Sequence, residues 1–139
     1  MRVVLDSNVL IAAVATRGLC EAIVELCLEQ HEIVLGEGIL AEVEEKLTGK
    51  LKVPAAMARE YMKLLRGSAE IMKPAQVERG ACRDPEDLMV LGLIEPGRAE
   101  VLVSGDKDLL VLREFAGARV LSPRGFWESV GKGREGDLI

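Results

Sequence analysis

Two aspartates in this chain stand where short apolar runs end. Asp6 follows Arg2–Leu5 directly, and Asp106 follows Val101–Val103 with only Ser104 and Gly105 between. One carboxylate after a buried strand is ordinary turn chemistry. Two in equivalent places, each leading into a helix, suggest a shared role. A third acid, Asp87, falls in the first turn of a helix opened by Pro85, where the helix dipole stabilises a negative charge by about 0.3–1 kcal/mol. Asp84 already occupies the capping position before that proline, so the helix does not need Asp87 as its cap. A fourth candidate lies in G-I-L-A-E-V-E-E. There Glu42 and Glu44 flank an apolar stripe of Ile39, Leu40, Val43 and Leu47, and Glu45 points away. Spacing alone leaves Glu42 and Glu44 as alternatives.

Acids that converge must be compensated. Several carboxylates in one pocket repel and raise one another's pKa values, and a hard divalent cation removes that penalty. Mg²⁺ takes oxygen ligands, is satisfied by a few carboxylates and keeps several waters. Two such ions about 3.5–4 Å apart can activate a water and stabilise the leaving oxygen of a phosphodiester. The formal net charge of -5 argues against a simple nucleic-acid binder. An acidic pocket loaded with cations is locally positive, however, so the placement of the acids decides and their sum does not.

Alternating elements supply the positioning. Arg2–Leu5, Glu32–Leu35, Glu100–Val103 and Ala118–Leu121 read as buried strands, and 69–73 as a short edge strand stopped by Pro74. Helices are predicted after Asp6 through Ala15, from Gly18 through Gln30, after Gly38 to near Gly49, from Pro54 through Leu65 and over Leu88–Ile94. Pro96-Gly97 then stops the chain, and S-G-D-K-D-L-L leads a short helix through Arg113. A closing helix spans Pro123–Val130. The pattern predicts a three-layer α/β/α fold with a mainly parallel central sheet. Such sheets gather function at the carboxyl ends of their strands, which is where Asp6 and Asp106 fall. A single domain over residues 1–130 is expected, with a Gly- and charge-rich tail from 131 to 139.

Composition narrows the class. With 49% hydrophobic and 29% charged residues in a chain of 139, one globular core is expected without metal or disulfide staples. Only 3% is aromatic, which argues against stacking bases on aromatic platforms. Cys20, Cys27 and Cys82 have no C-x-x-C spacing, and His31 is the only histidine, so no zinc constellation forms. Free thiols, no basic-then-apolar leader and no run of about 20 apolar residues predict a cytoplasmic protein without a membrane span.

The ordered motifs resemble those of the PIN-domain nucleases, and most of all the prokaryotic branch of toxin–antitoxin toxins. V-V-L-D-S-N-V-L resembles that family's first strand and first acid, and G-I-L-A-E-V its second, which favours Glu42 over Glu44. R-D-P-E-D-L resembles the third acidic position, on Asp87, and V-L-V-S-G-D-K-D-L-L the late strand with its acid, from Val3 to about Pro123 in all. Leu88 stands where that branch often has Asn. The resemblance implies an endoribonuclease dependent on Mg²⁺ or Mn²⁺, with Asp6, Glu42, Asp87 and Asp106 as catalytic metal ligands. Asn8 and Ser104 would orient a ligand water or phosphate oxygen, Asp108 would support the set or cap its helix, and Arg17, Arg83 and Lys107 would steer RNA. An antitoxin partner and a homodimer, using surfaces such as Met57, Tyr61 and Leu64, are further expectations.

Two other readings compete. An aspartyl-phosphate phosphatase would use Asp6 as nucleophile, but it wants a second Asp two residues on, where Asn8 stands. A non-catalytic module for RNA or protein would be expected to have lost some of the four acids, and all are present.

Overall fold

The computed structural model describes residues 1–131, and the tail expected after Gly131 lies outside the described residues. Strand β1 (Arg2–Leu5) runs through the middle of a six-stranded sheet. It pairs in parallel with β2 (Glu32–Leu35) on one side and β4 (Val101–Val103) on the other. The full order is β3-β2-β1-β4-β6-β5, with β3 (Glu70–Ile71) and β6 (Ala118–Leu121) also parallel to their neighbours and β5 (Glu114–Phe115) antiparallel at the edge. Val3, Val4 and Leu5 are wholly buried, as are Val34, Leu35, Leu102 and Val103. A strand covered on both faces needs apolar residues on both, which is why these runs are continuous and not alternating.

Helices cover both faces, giving the three-layer arrangement that the sequence predicts. α1 (Ser7–Ala15) and α2 (Leu19–Gln30) pack on each other and carry the chain from β1 to β2. α3 (Glu37–Glu45) runs into a π-turn, Lys46–Lys50, pinned by fully buried Leu47, and α4 (Ala55–Ser68) follows. α5 (Asp87–Leu91) and α6 (Ile94–Gly97) lead to β4, and α7 (Lys107–Leu110) leaves it. α8 (Pro123–Phe126) and a π-turn, Trp127–Gly131, close the described chain. No helix among the described residues is long and apolar enough to cross a membrane.

The expected elements are present, with three local differences. Leu88–Ile94 is not one helix, and Pro96 lies inside α6 instead of after it. The first turn of a helix has no intrahelical partner for its N–H groups, so a proline there loses nothing; left-handed Arg98 (φ 49°) makes the actual stop. The short helix expected through Arg113 ends at Leu110, and β5 follows. β5 and β6 join through Ala116 and Gly117, both at positive φ. That conformation suits a two-residue hairpin, but Ala-Gly lacks the Asn-Gly or Asp-Gly signal that announces one.

One close approach holds α5, and Asp87 with it, against the chain that crosses over it. Ala75 N–H donates to the Gly92 carbonyl (2.8 Å), and a Cβ built on Gly92 would lie 2.5 Å from the Ala75 carbonyl oxygen. Backbone cannot swing aside as a side chain can, so Gly92→Ala is expected to lose about 1–3 kcal/mol of stability by overpacking. Gly67 in α4 has open space around it, and Gly67→Ala is expected to gain about 0.5–1 kcal/mol. Urea unfolding of the two variants beside wild type checks the pair; equal midpoints for Gly92→Ala and wild type would refute the tight approach.

Candidate functional site

Register brings the first and last acids together. Leu5 of β1 is level with Val103 of β4, and Asp6 N–H continues the ladder by donating to the Val103 carbonyl (3.0 Å). Asp6 and Ser104 therefore leave the carboxyl edge of the sheet side by side. Ser104 is fully buried. Its Oγ donates to Asp6 Oδ2 (2.7 Å) and accepts from Asp106 N–H (2.9 Å). Asp6 Oδ1 accepts from Ser7 N–H (2.8 Å), so the same carboxylate caps α1. Asn8 closes the arrangement: its Nδ2 donates to Asp6 Oδ2 (3.3 Å), and its Oδ1 accepts from Gly105 N–H (3.0 Å). Asp106 Oδ1 caps α7 by accepting from Asp108 N–H (2.9 Å).

The other two acids arrive from helices. Glu42 on α3 accepts from Ser7 Oγ (2.7 Å), which sets it beside Asp6. Glu44 faces a different groove, with Thr48, Ala58 and Arg59. Asp87 opens α5 and is buried. Its carboxyl is pushed up to about 7, first by burial, then by the close approach of the Asp106 carboxyl and the charges of Asp106, Asp84 and Asp6. Asp6 is raised as well. Burial is the main cause, opposed by the bonds from Ser104 and Ser7 and reinforced by the charges of Glu42 and Asp106. Asp6, Glu42, Asp87 and Asp106 thus meet at one edge of the sheet.

The structure adds two groups, Asp84 and Cys82, to those expected from the sequence. Asp84, Asp87 and Asp108 each offer a carboxylate oxygen within 4.8 Å of the others. Asp84 does act at the turn, with Glu86 N–H donating to its Oδ1 (3.0 Å), and it also joins the cluster. Its separation of three from Asp87 is the signal that could have found it, since such residues are neighbours on a helical turn. Cys82 Sγ lies 3.8 Å from Asp87 Oδ2 and donates to the Asp108 carbonyl (3.4 Å). Nothing in the sequence marks Cys82 as different from the other two cysteines. Of the expected rim cations, Arg83 and Lys107 are exposed next to cluster residues, whereas Arg17 lies beyond the far end of α1 in a groove with Glu21, Met57 and Tyr61.

This donor set fits a hard divalent cation. Carboxyl groups so close can share a proton or a cation, and carboxylate oxygen is the ligand that Mg²⁺ and Mn²⁺ prefer. A cleft of about 240 Å³ opens beside the acids, walled by Asp6, Ser7, Glu42, Ile39, Met89 and Leu93.

A family model described as PIN domain matches residues 2–108. Among solved structures, the fold is similar to that of VapBC2 from Rickettsia felis bound to a DNA fragment from their promoter. That match has 13% identity and a TM-score of 0.61, covering 88% of this chain and 98% of that one. It is also similar to PAE2754 from Pyrobaculum aerophilum, at 18% identity and a TM-score of 0.61, covering 95% of this chain and 90% of that one. At these identities the likeness is one of fold. No curated protein matches the chain.

The raised Asp87 sets a pH dependence. Its folded value, about 7, lies above the ordinary 3.8, so ionising it penalises the folded state. The penalty is absent below pH 3.8, grows between the two values and is complete above about 7. In EDTA, Asp87→Asn is therefore expected to be more stable than wild type at pH 8 and nearly equal to it at pH 4, by urea unfolding. A difference independent of pH would mean that Asp87 does not feel its neighbours.

Proposed function

The chain belongs to the PIN-domain family, and from that premise we propose that it is an endoribonuclease dependent on Mg²⁺ or Mn²⁺, acting as the toxin of a toxin–antitoxin pair. The observation that carries the reading is the meeting of Asp6, Asp87 and Asp106 at one edge of the sheet, where Asp6 and Asp87 are buried and their carboxyl groups raised. Asp6, Glu42, Asp87 and Asp106 would hold the cation, with Asp84 and Asp108 at its margin. When bound, the cation supplies neutralisation of the carboxylates and of the phosphodiester, and a water acidic enough to attack phosphorus at neutral pH.

The chain's own groups prepare that site. Ser104 and Ser7 hold both oxygens of Asp6, so its position does not depend on a ligand. Asn8 ties the Asp6 turn to the Gly105 turn, fixing the distance between the ends of β1 and β4. That amide stands where an aspartyl-phosphate phosphatase would need a carboxyl acid, and its bonds to Asp6 and Gly105 leave it a structural part. Asp87 holds a proton up to about neutral pH, and a cation bound there would displace it. RNA as the substrate and an antitoxin as the partner rest on the family resemblance. Three free cysteines suit the cytoplasm. Exposed Met57 and Leu64 on α4 offer apolar surface for a protein partner or a second copy.

The test is cleavage of single-stranded RNA in Mg²⁺, Mn²⁺ or EDTA. Asp6→Asn and Asp87→Asn are expected to abolish it, and EDTA to do the same. Cleavage that persists in both variants would remove the acidic site from the mechanism, and a wild type inert with every metal would leave a binding module. Ser104→Ala is expected to weaken cation binding by about tenfold to a hundredfold without unfolding the chain, as loss of a group that orients a ligand does. Calorimetric titration with Mn²⁺ measures that, and unchanged affinity would show that Ser104 does not hold Asp6 for the metal.

A further inference from the structure

A second concavity borders the acids and shares Glu42 with the cleft. It is a groove of about 350 Å³ between α1 and the π-turn, with Asn8 and Glu42 at one end and Lys46 and Lys50 on its wall. Glu42 also lines the cleft beside the acids, so the two concavities meet there. Ile11, Ala12 and Leu51 give the groove an apolar floor.

The lysines are placed as an exposed pair. They are four residues apart on one turn, hence on one side of it, and Leu47 between them is buried without exposure. Like charges at that spacing repel, and among the described residues neither lysine has a carboxylate within ion-pair distance. Glu42 is spaced to pair with Lys46, yet its Oε1 accepts from Ser7 Oγ (2.7 Å) instead. The helix dipole accounts for a cation at the end of α3. It does not account for two unpaired ammonium groups on the wall of a groove that opens onto the acids.

We propose that this groove is the track for single-stranded nucleic acid entering the acidic site, with Lys46 and Lys50 holding the phosphates next to the one that reacts. The inference rests on the nuclease reading of the acids and adds where the rest of the substrate lies. The floor has no aromatic side chain, so bases lie on aliphatic surface without a stacking partner, and the track tolerates any sequence. A long strand therefore gains affinity from the groove that a small phosphodiester cannot.

The experiment is fluorescence anisotropy of a labelled single-stranded RNA 12-mer with the otherwise wild-type protein in Ca²⁺, an oxygen-seeking cation in place of Mg²⁺, with and without Lys46→Gln and Lys50→Gln. Both lysines are exposed, so the folded state should be unaffected, which circular dichroism checks. The double lysine change is expected to weaken binding about tenfold and to flatten the slope of log affinity against log salt by roughly 1.4, about 0.7 for each phosphate of a single strand that is no longer neutralised. Lys63→Gln, at an exposed lysine of α4 without an ion pair among the described residues, controls for net charge and should change neither. Equal affinity and slope in the double variant, or no RNA binding by the parent, overturns the track. Loss of binding to a poly-glutamate 12-mer with RNA binding intact assigns the groove to an acidic protein segment and overturns it too. Cleavage is scored separately on the wild-type background. With bis(p-nitrophenyl) phosphate, which fills only the acidic site, the double lysine variant should match wild type. Absence of metal-dependent cleavage by wild type removes the nuclease reading alone, whereas unaltered RNA binding beside intact cleavage removes the track alone.

Discussion

Ser104 sits at the junction on which the site depends. Its hydroxyl proton goes to Asp6 and its lone pair takes the Asp106 N–H, so one buried atom fixes two acids that lie 100 residues apart in sequence. The bond is available only because β1 and β4 are adjacent and parallel, with Leu5 level with Val103. A slip of one residue would turn every side chain of β4 to the opposite face and leave Ser104 pointing away from Asp6. The apolar runs are bounded by Arg2 and Asp6 on β1 and by Glu100 and Ser104 on β4, so a slip would carry a polar end into the covered part of the sheet, and the extent of the hydrophobic core thereby determines the site's geometry. Asn8 repeats the device one layer out, joining the two turns that follow those strands.

Held this way, the acids work against the fold. Burial and mutual repulsion raise Asp87 and Asp6, and each raised carboxyl opposes folding above its ordinary pKa. At the other end of the sheet the opposite arrangement holds. Arg2 bridges Glu32 and Glu70, at the starts of β2 and β3, and also donates to the Gly97 carbonyl. The amino edge of the sheet is thus ion-paired, whereas among the described residues the acids at the carboxyl edge have no ion-pair partner. Such a division suits a ligand that brings positive charge, because binding free energy then adds to the stability of the folded chain.

Long-range order was legible in the sequence because it rests on hydrophobic periodicity and turn residues. The runs V-V-L and V-L-V marked β1 and β4, and the acids after them marked the edge at which the carboxylates gather. What stayed hidden depended on contacts between distant or irregular segments. Glu42 and Glu44 are equivalent on a helical wheel, and only the packing of α3 beside α1 brings Ser7 Oγ to one of them. Asp84 reads as the cap of a helix opened by Pro85, but α5 starts only at Asp87 and has no side-chain cap; Asp84 instead holds the turn before it, which folds its carboxylate back on the cluster. Arg17 reads as a rim cation until α1 is seen to carry it away from the acids. Hairpin β5–β6 is short and its loop lacks Asn or Asp, so no local signal exceeds that of a fraying helix end.

Net charge decides little for a related reason. A sum of -5 says that the whole molecule repels polyanions, but the field at a surface is set by charges within about a Debye length, roughly 8–10 Å at physiological salt. Arg2 and Arg66 are engaged with glutamates elsewhere on the surface. Lys46 and Lys50 are not, and they flank the groove that leads from Glu42 away from the cleft. A cation held by the carboxylates would reverse the sign of the acidic edge and make it continuous with the lysine wall. Without the cation, the same edge repels phosphate while the lysines attract it. Metal loading would then govern strand binding as well as chemistry, because the attractive path is complete only when both ends of it are positive.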